Sequence, residues 1–171
     1  MRSSLLLYIL LLTFSLNSLS AQRGMTNKKM EKILDSEAAA IEGELGAWQV
    51  FINDHILLVV TDEANNRMRI FTPIVEESEL KPKQLRRMLL ANFHAALDAK
   101  YSIFEGFVIS IFTHPLKELS EDQFIDALNQ VIKLAETFGT TYSSTDLIFG
   151  GKEEKIEQRR INQSPAKGKR T

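Results

Sequence analysis

Cysteine is absent from this sequence of 171 residues. The chain therefore forms no disulfide, and thiol catalysis, thiolate metal sites and redox sensing by cysteine are excluded. Lipid modification of an N-terminal cysteine is excluded for the same reason. A chain of about 150 residues can nevertheless bury enough apolar surface to fold without cross-links. This length favours one domain.

Histidine is also scarce, with three residues in the whole chain. His94 precedes Asp98 by four positions, which would place both on one face of a helix. A metal site or an acid/base pair would need further donors, but His55 lies in a predicted turn and His114 at a predicted strand end. We therefore interpret His94 and Asp98 as helix-surface residues, with Asp98 either bonded to His94 or solvated.

The common catalytic signatures are missing as well. The sequence contains no G-x-S-x-G, H-E-x-x-H, Walker loop or dinucleotide fingerprint. Gly150-Gly151 is too short for a phosphate loop. We predict a protein that is not an enzyme, with no catalytic residue, metal or cofactor. The rival hypothesis of an enzyme requires polar groups that converge in a pocket.

No apolar run reaches the length of about 20 residues that spans a bilayer. The N-terminal run Leu5–Leu16 follows Arg2 and leads into small residues at a cleavage position. This pattern is typical of a secretory signal peptide, which we place at residues 1–21, with cleavage after Ser20 or Ala21. We expect an exported protein, periplasmic or extracellular, with no transmembrane segment after cleavage.

Charge is unevenly distributed along the chain. Residues 152–171 contain seven Lys or Arg and three Glu, whereas residues 22–151 contain 13 basic and 19 acidic residues, so the tail is near +4 and the preceding domain near −6. We predict that the tail is disordered. It is either a solvated extension or an electrostatic contact for an anionic surface or partner. Nucleic acid is not an expected partner, because the domain is acidic and has no basic patch interleaved with aromatics.

Periodicity and turn signals predict a single α+β domain over residues 22–151. Three helices and a five-stranded antiparallel sheet are expected, in the order α-βββ-α-ββ-α. The second helix should bury Leu85, Met88 or Leu89, Phe93, Ala96 and Leu97. The expected helices are Thr26–Glu42, Pro82–Ala99 and one from Ser120 to Gly139; the expected strands are Ala47–Asn53, Ile56–Asp62, Arg67–Val75, Tyr101–Phe104 and Phe107–His114.

Three stretches resemble a known fold: LLANFHAALDAKYSIFEGFVISIF, ELSEDQFIDALNQVIKLAETF and NRMRIFTPI, which begin at Leu89, Glu118 and Asn66. With the order of elements, they are similar to the type III secretion chaperone-like fold (CesT/SycE-like), and most similar to YbjN-type proteins, here with a signal peptide. The resemblance covers about Met25–Phe138. It implies a small, non-enzymatic, often dimeric protein whose sheet and helix surfaces bind polypeptides. The predicted export signal is a departure, because secretion chaperones act in the cytoplasm.

The third predicted strand indicates where a partner would bind. Its side chains alternate, so if Met68 and Ile70 face the helices, then Arg67, Arg69 and Phe71 face away. Arginine and aromatic residues are enriched at protein interfaces.

We therefore predict Phe51, Arg67, Arg69 and Phe71 as protein-binding residues. Alternatively, a homodimer or the Leu147–Phe149 segment covers this face. The leading hypothesis is an exported, non-enzymatic, protein-binding or chaperone-like domain, expected to be a homodimer. Its rival is a small-ligand or signal sensor that uses a pocket between sheet and helices.

Overall fold

The computed structural model describes residues 24–145. This part of the chain contains three α-helices and six strands in the order α-ββββ-α-ββ-α. A short 3₁₀ helix, Glu77–Glu79, precedes the second α-helix. The helices are α1 (Asn27–Glu37), α2 (Pro82–His94) and α3 (Glu121–Glu136); the strands are β1 (Ala40–Glu44), β2 (Ala47–Ile52), β3 (His55–Asp62), β4 (Arg67–Glu76), β5 (Lys100–Phe104) and β6 (Phe107–His114).

The six strands form one antiparallel sheet in the spatial order β1-β2-β3-β4-β6-β5. Helices α1 and α3 cover one side, which we call the inner face. The inner face and these helices share one apolar core. The fully buried side chains of that core include Met30, Leu34, Leu57, Ile70 and Phe124. The opposite side of the sheet is the outer face.

Local sequence explains the ends of several elements. Thr26 caps α1 by accepting a hydrogen bond from the Lys29 amide at 3.3 Å. Ser120 and Gln123 form the predicted capping box at the start of α3. Two-residue turns join β2 to β3 and β5 to β6. Both residues of each turn have positive φ, which matches the twist of the strands.

The predicted five-stranded sheet and its element order are wrong, because the chain forms a sixth strand, β1. The first helix was expected to reach Glu42, but it ends at Glu37. The following residues pair with β2, with Ala40 opposite Phe51 and Glu44 opposite Ala47. Hydrogen bonding to a neighbouring strand outweighs the high helix propensity of the alanine run.

Gly43 adapts β1 to this pairing. Its φ is +113°, and a Cβ at this position would lie 2.2 Å from the Ala47 carbonyl oxygen. A helical backbone has negative φ. The conformation of Gly43 therefore belongs to the tight β1–β2 hairpin and is incompatible with the predicted helix.

Helix α2 also differs from its prediction. It ends at His94 instead of Ala99, and it buries Met88 and Ala91. Leu85, Leu89 and Phe93, which were expected in the core, are 40%, 63% and 79% exposed. Met88, which was given as the alternative to Leu89, and Ala96 are buried as predicted. The prediction is wrong for Leu85 and Phe93, which lie on the exposed side of the helix.

Several predictions fall outside residues 24–145. They are the signal peptide at residues 1–21, the domain boundary at residue 151, the Leu147–Phe149 segment and the basic tail at residues 152–171. These remain predictions. Over residues 24–145, no helix combines the length and the apolar character needed to cross a membrane.

Candidate functional site

The outer face carries the four residues that the sequence indicated for protein binding. Phe51, Arg67 and Arg69 are exposed and Phe71 is half-buried. Their neighbours in sequence, such as Val50, lie in the inner core. One row of paired positions crosses all six strands: Glu42, Gln49, Leu58, Phe71, Ile111 and Lys100.

Phe71 belongs to a small apolar cluster on the outer face. Its ring contacts the ring of Phe104 edge to face, with centroids 5.9 Å apart. Because β6 lies between β4 and β5, the two rings meet above β6, where Ile109 points outward. Ile109 is only 4% exposed although it lies outside the main core. We call Phe71, Phe104, Phe107 and Ile109 the outer cluster.

A second apolar area surrounds Phe51 near the β1 edge. Phe51 is 39% exposed, and Ile56, its partner on β3, is 50% exposed. A shallow depression of about 130 Å³ lies beside them and is also lined by Ala40, Glu42 and Gln49. The sequence did not indicate this depression, because β1 was predicted to be part of a helix.

The charges on the outer face are separated. Arg67 and Arg69 lie in the first half of β4, with Arg69 two positions from Phe71, whereas Glu42 and Glu44 lie on β1. Arg67 donates to the Asn66 carbonyl oxygen at 3.0 Å. Asp62, paired with Arg67 in the ladder, has a lowered pKa, chiefly because the Asn65 side chain donates to its carboxylate. The face thus combines apolar, cationic and anionic areas.

His94 and Asp98 do not form the pair that a continuous helix would give. His94 is the last residue of α2, and its ring contacts that of Phe93. Asp98 follows in a turn, where its backbone amide donates to Gln130 Oε1 at 3.0 Å. Residues 24–145 contain no group of three His, Cys, Asp or Glu placed to hold a metal ion.

The turn between α2 and β5 is held instead by amide side chains. Gln130 on α3 is 2% exposed and accepts from the amides of Asp98 and Ala99 at 3.0 and 3.2 Å. Asn92 bridges to the edge of β5, accepting from the Tyr101 amide at 2.7 Å and donating to its carbonyl at 3.1 Å. These bonds set the position of α2 against the sheet.

Lys100 completes this attachment. Its ammonium donates to the carbonyl oxygens of Asn92 and Ala96 at 2.8 and 2.7 Å, and also to that of Leu97. A cation at the C-terminal end of a helix is favourable, although burial lowers the pKa of Lys100. Lys100 is therefore turned towards α2 and adds no free charge to the outer face.

The sensor hypothesis requires an apolar pocket between sheet and helices. A cleft of about 380 Å³ does lie beside α3, but most of its lining is polar and includes Asn53, Asp126, Asn129, Lys133 and Glu136. His55 borders this area through a contact of 3.5 Å with Glu136. The cleft gives no support to an apolar ligand site.

No protein-family model matches the chain, and no curated protein matches it in sequence. The similarity to known proteins lies in the fold. A chain of the HopA1-SchA chaperone-effector complex has a TM-score of 0.51 and 14% sequence identity, with 66% of this chain and 94% of that chain covered. A chain of the ExsC-ExsE complex has a TM-score of 0.50 and 13% identity, with 66% and 92% covered. The Yersinia pestis type III secretion chaperone SycH, in complex with a stable fragment of YscM2, has a TM-score of 0.49, 16% identity, and 64% and 95% covered.

The chain therefore has the type III secretion chaperone-like fold, as the resemblance in the sequence predicted. The match spans more than nine-tenths of each of the two chains that superpose best among these three. At 13–14% identity, the likeness concerns the fold. The closer likeness to YbjN-type proteins stays a prediction.

Proposed function

We propose that the protein is a non-enzymatic, chaperone-like domain that binds a polypeptide on the outer face of its sheet. The observation that carries the proposal is the exposed apolar surface on a side that α1 and α3 leave uncovered. Phe51, Ile56 and the outer cluster lie there on five neighbouring strands. Exposed apolar areas rimmed by polar residues mark sites of protein interaction. The HopA1-SchA structure supports the proposal, because it is a chaperone-effector complex.

The arrangement of the face suits a partner in an extended conformation. An extended chain presents alternate side chains to one surface about 7 Å apart. The depression beside Phe51 accommodates an aliphatic side chain, and the outer cluster offers aromatic edges for a second one. Arg69 is exposed next to Phe71, where it would pair with a carboxylate of the partner. We therefore expect preferred segments to alternate apolar residues and to contain Asp or Glu.

The partner-binding face can be tested with an array of peptides of about 15 residues each. The mature chain, residues 22–171, should bind a subset with alternating apolar residues, and Phe71→Ala with Arg69→Glu should weaken binding to that subset at least tenfold. Leu45→Ala is the matched control, because Leu45 is 49% exposed and lies outside the face, in the β1–β2 turn. Equal binding by the double variant would refute the proposed site.

We also propose that the chain is a homodimer when no partner is bound. A twofold interface uses the same patch on both copies, so it must be self-complementary. The outer face can meet this condition, since it carries two apolar areas, around Phe51 and at the outer cluster, together with Arg67 and Arg69 on β4 and Glu42 and Glu44 on β1.

Light scattering tests the homodimer. The mature chain at tens of micromolar should have the mass of a dimer, and Phe71→Asp should convert it to a monomer. A monomer for the unchanged protein would remove the homodimer from the proposal without affecting partner binding.

Export to the periplasm or the cell exterior is the third part of the proposal. It is supported by the sequence of residues 1–21. Expression of the whole chain followed by fractionation and mass spectrometry should recover a protein that begins at Ala21 or Gln22 outside the cytoplasm. A chain that keeps Met1 to Ser20 and stays in the cytoplasm would contradict export.

A further inference from the structure

Helix α2 presents an exposed apolar stripe with cations beside it. Leu85, Leu89 and Phe93 are 40%, 63% and 79% exposed, and Phe93 and Leu89 are the two most exposed large apolar residues in the described chain. At about 100° per residue, the three cover roughly 80° of the helix surface. Viewed down the helix axis, Arg86 lies next to Phe93, and Lys83 and Arg87 lie beyond Arg86, further from the stripe.

The charge of this helix is opposite to that of the domain. From Leu80 to Leu97 the sequence has four Lys or Arg and no Asp or Glu, whereas residues 22–151 have a net charge near −6. None of the four cations forms an ion pair with a carboxylate of residues 24–145. Three glutamates, Glu76, Glu77 and Glu79, precede the helix, so the cationic surface begins at Lys81.

The attachment of α2 to the sheet keeps the stripe outside. Asn92 bonds to both backbone groups of Tyr101, and Lys100 binds the carbonyl oxygens at the end of the helix. Rotation that would bury Leu89 and Phe93 would break these contacts. The stripe is therefore part of the folded surface.

The described chain ends close to the same end of the helix. The Ser144 amide donates to the Ala95 carbonyl at 3.3 Å, and Ser144 Oγ accepts from the Leu97 amide at 2.7 Å. The described chain ends at Thr145, and the sequence of net charge +4 starts seven positions later, at Lys152.

We propose that α2 is a docking helix for an anionic lipid surface. A helix with leucine and phenylalanine on one side and Lys or Arg beside them lies in the interface of a bilayer, with its apolar side among the acyl chains and its cations near the headgroups. A second copy of this chain fits the same stripe less well, because a twofold packing of α2 brings cations of equal sign together. This proposal concerns a different surface from the outer face.

Sedimentation with vesicles tests the proposal directly. The mature chain should bind vesicles of equal phosphatidylglycerol and phosphatidylcholine, bind vesicles of phosphatidylcholine alone much more weakly, and lose affinity as salt screens the charges. Leu89→Ser with Phe93→Ser should reduce binding about tenfold or more, because two apolar side chains are lost from the interface. Arg86→Glu with Arg87→Glu should have an effect of similar size.

Two matched controls distinguish binding through α2 from nonspecific hydrophobic or electrostatic adsorption of the domain. Ile56→Ser removes a 50% exposed apolar side chain from the outer face, and Lys28→Glu with Lys32→Glu reverses two exposed charges on α1. Both should bind the anionic vesicles like the unchanged protein. Phe93→Trp should show a blue shift of its fluorescence on the anionic vesicles only, against the constant signal of the buried Trp48.

Three outcomes would overturn the proposal. The first is no binding of the unchanged protein to the anionic vesicles. The second is full binding by the Leu89 and Phe93 variant while the arginine variant fails, which indicates attraction by charge alone. The third is a dimer in light scattering that Leu89→Ser separates, which assigns the stripe to a second copy. Unfolding curves of each variant establish that it is folded, as expected for changes at exposed positions.

Discussion

Replacing Gln130 with leucine should destabilise the turn that joins α2 to β5. The Gln130 side chain is 2% exposed and makes four hydrogen bonds. Its oxygen accepts from the amides of Asp98 and Ala99 at 3.0 and 3.2 Å. Its nitrogen donates to Asp126 at 2.6 Å and to Asp98 at 3.4 Å. Because it is buried and bonded to two amides of the turn, the Gln130 side chain holds this turn in place.

The expected loss of stability is estimated from the hydrogen bonds that leucine cannot make. Leucine has a volume close to that of glutamine, so the cavity term is small. The two backbone amides lose their acceptor, and a buried unsatisfied donor costs about 1–3 kcal/mol. Asp98 is exposed and its amide regains water in part, whereas Ala99 is fully buried. We expect Gln130→Leu to lower the free energy of unfolding by about 3 kcal/mol.

Urea denaturation measures this loss, and the melting temperature should fall by about 10 °C. Hydrogen exchange should show faster exchange of the Asp98 and Ala99 amides. Asn129→Leu is the control, because Asn129 is the exposed neighbour on the same helix, and its free energy of unfolding should change by less than about 0.5 kcal/mol. A loss below about 0.5 kcal/mol for Gln130→Leu, or unchanged exchange at the two amides, would refute the reasoning.

Gln130→Glu adds a test by pH. The new carboxyl keeps an acceptor for the two amides but lies beside Asp98 and Asp126. Burial and these carboxylates raise its pKa in the folded state above the ordinary value of about 4.3. The variant should therefore lose stability relative to the unchanged protein above pH about 4.3, where the unfolded chain carries the charge, and lose little below it. Equal losses at pH 3.5 and pH 7 would contradict this explanation.

Three further predictions concern the core and the sheet edge. Ser110→Ala should raise the free energy of unfolding by about 1 kcal/mol, because the buried Ser110 hydroxyl has no hydrogen-bond partner. Thr72 is paired with Ser110 across the sheet, and its hydroxyl donates to a β3 carbonyl at 2.7 Å. Thr72→Val should therefore lower the free energy of unfolding by about 1 kcal/mol. Urea denaturation that shows a loss in both would contradict this contrast. Burial raises the pKa of Tyr101 above its ordinary value of 10.0. Above pH 10 the unfolded chain therefore releases a proton that the folded chain keeps. The free energy of unfolding should fall there by about 1.4 kcal/mol per pH unit. Tyr101→Phe should remove this contribution, and identical slopes between pH 9 and pH 11 would exclude it. Gly43→Ala should lower the free energy of unfolding by at least about 2 kcal/mol, because a Cβ would lie 2.2 Å from the Ala47 carbonyl oxygen at a φ of +113°. Urea denaturation measures this loss. An unchanged midpoint would contradict the prediction and indicate that the hairpin backbone shifts to accommodate the methyl group.

Elements defined by local pattern agree well between sequence and structure. β6 was predicted at Phe107–His114 and has these bounds. The capping box at Ser120 begins α3 as expected. These features depend on alternation, on turn residues and on contacts within three positions, which the sequence displays directly.

The elements that differ depend on pairing or packing with another element. Ala40 and Ile41 fit a helical pattern as well as a strand, and pairing with Phe51 and Val50 decides for the strand. In α2, Met88 and Leu89 were equally good candidates for the core, and the structure buries Met88 while Leu89 is exposed. Periodicity identifies an apolar stripe, but it does not identify what covers it.

The candidate binding face was predicted in part. Alternation along β4 correctly separated Arg69 and Phe71 from Met68 and Ile70. Phe104 and Ile109 were not recognised, because they join Phe71 only when β6 lies between β4 and β5. That order brings strands from different parts of the chain together, and no local signal in the sequence records it.

For this protein, the sequence by itself determined the α+β class, most turns, the capping of α1 and α3 and the resemblance to a chaperone-like fold. These depend on interactions between residues a few positions apart. The tertiary structure alone decided the sixth strand, the side of α2 that faces solvent and the composition of the outer face. Each of these results from hydrogen bonding or burial between separate elements of the chain, where competing local preferences are weak and the packed arrangement with the lower free energy is selected.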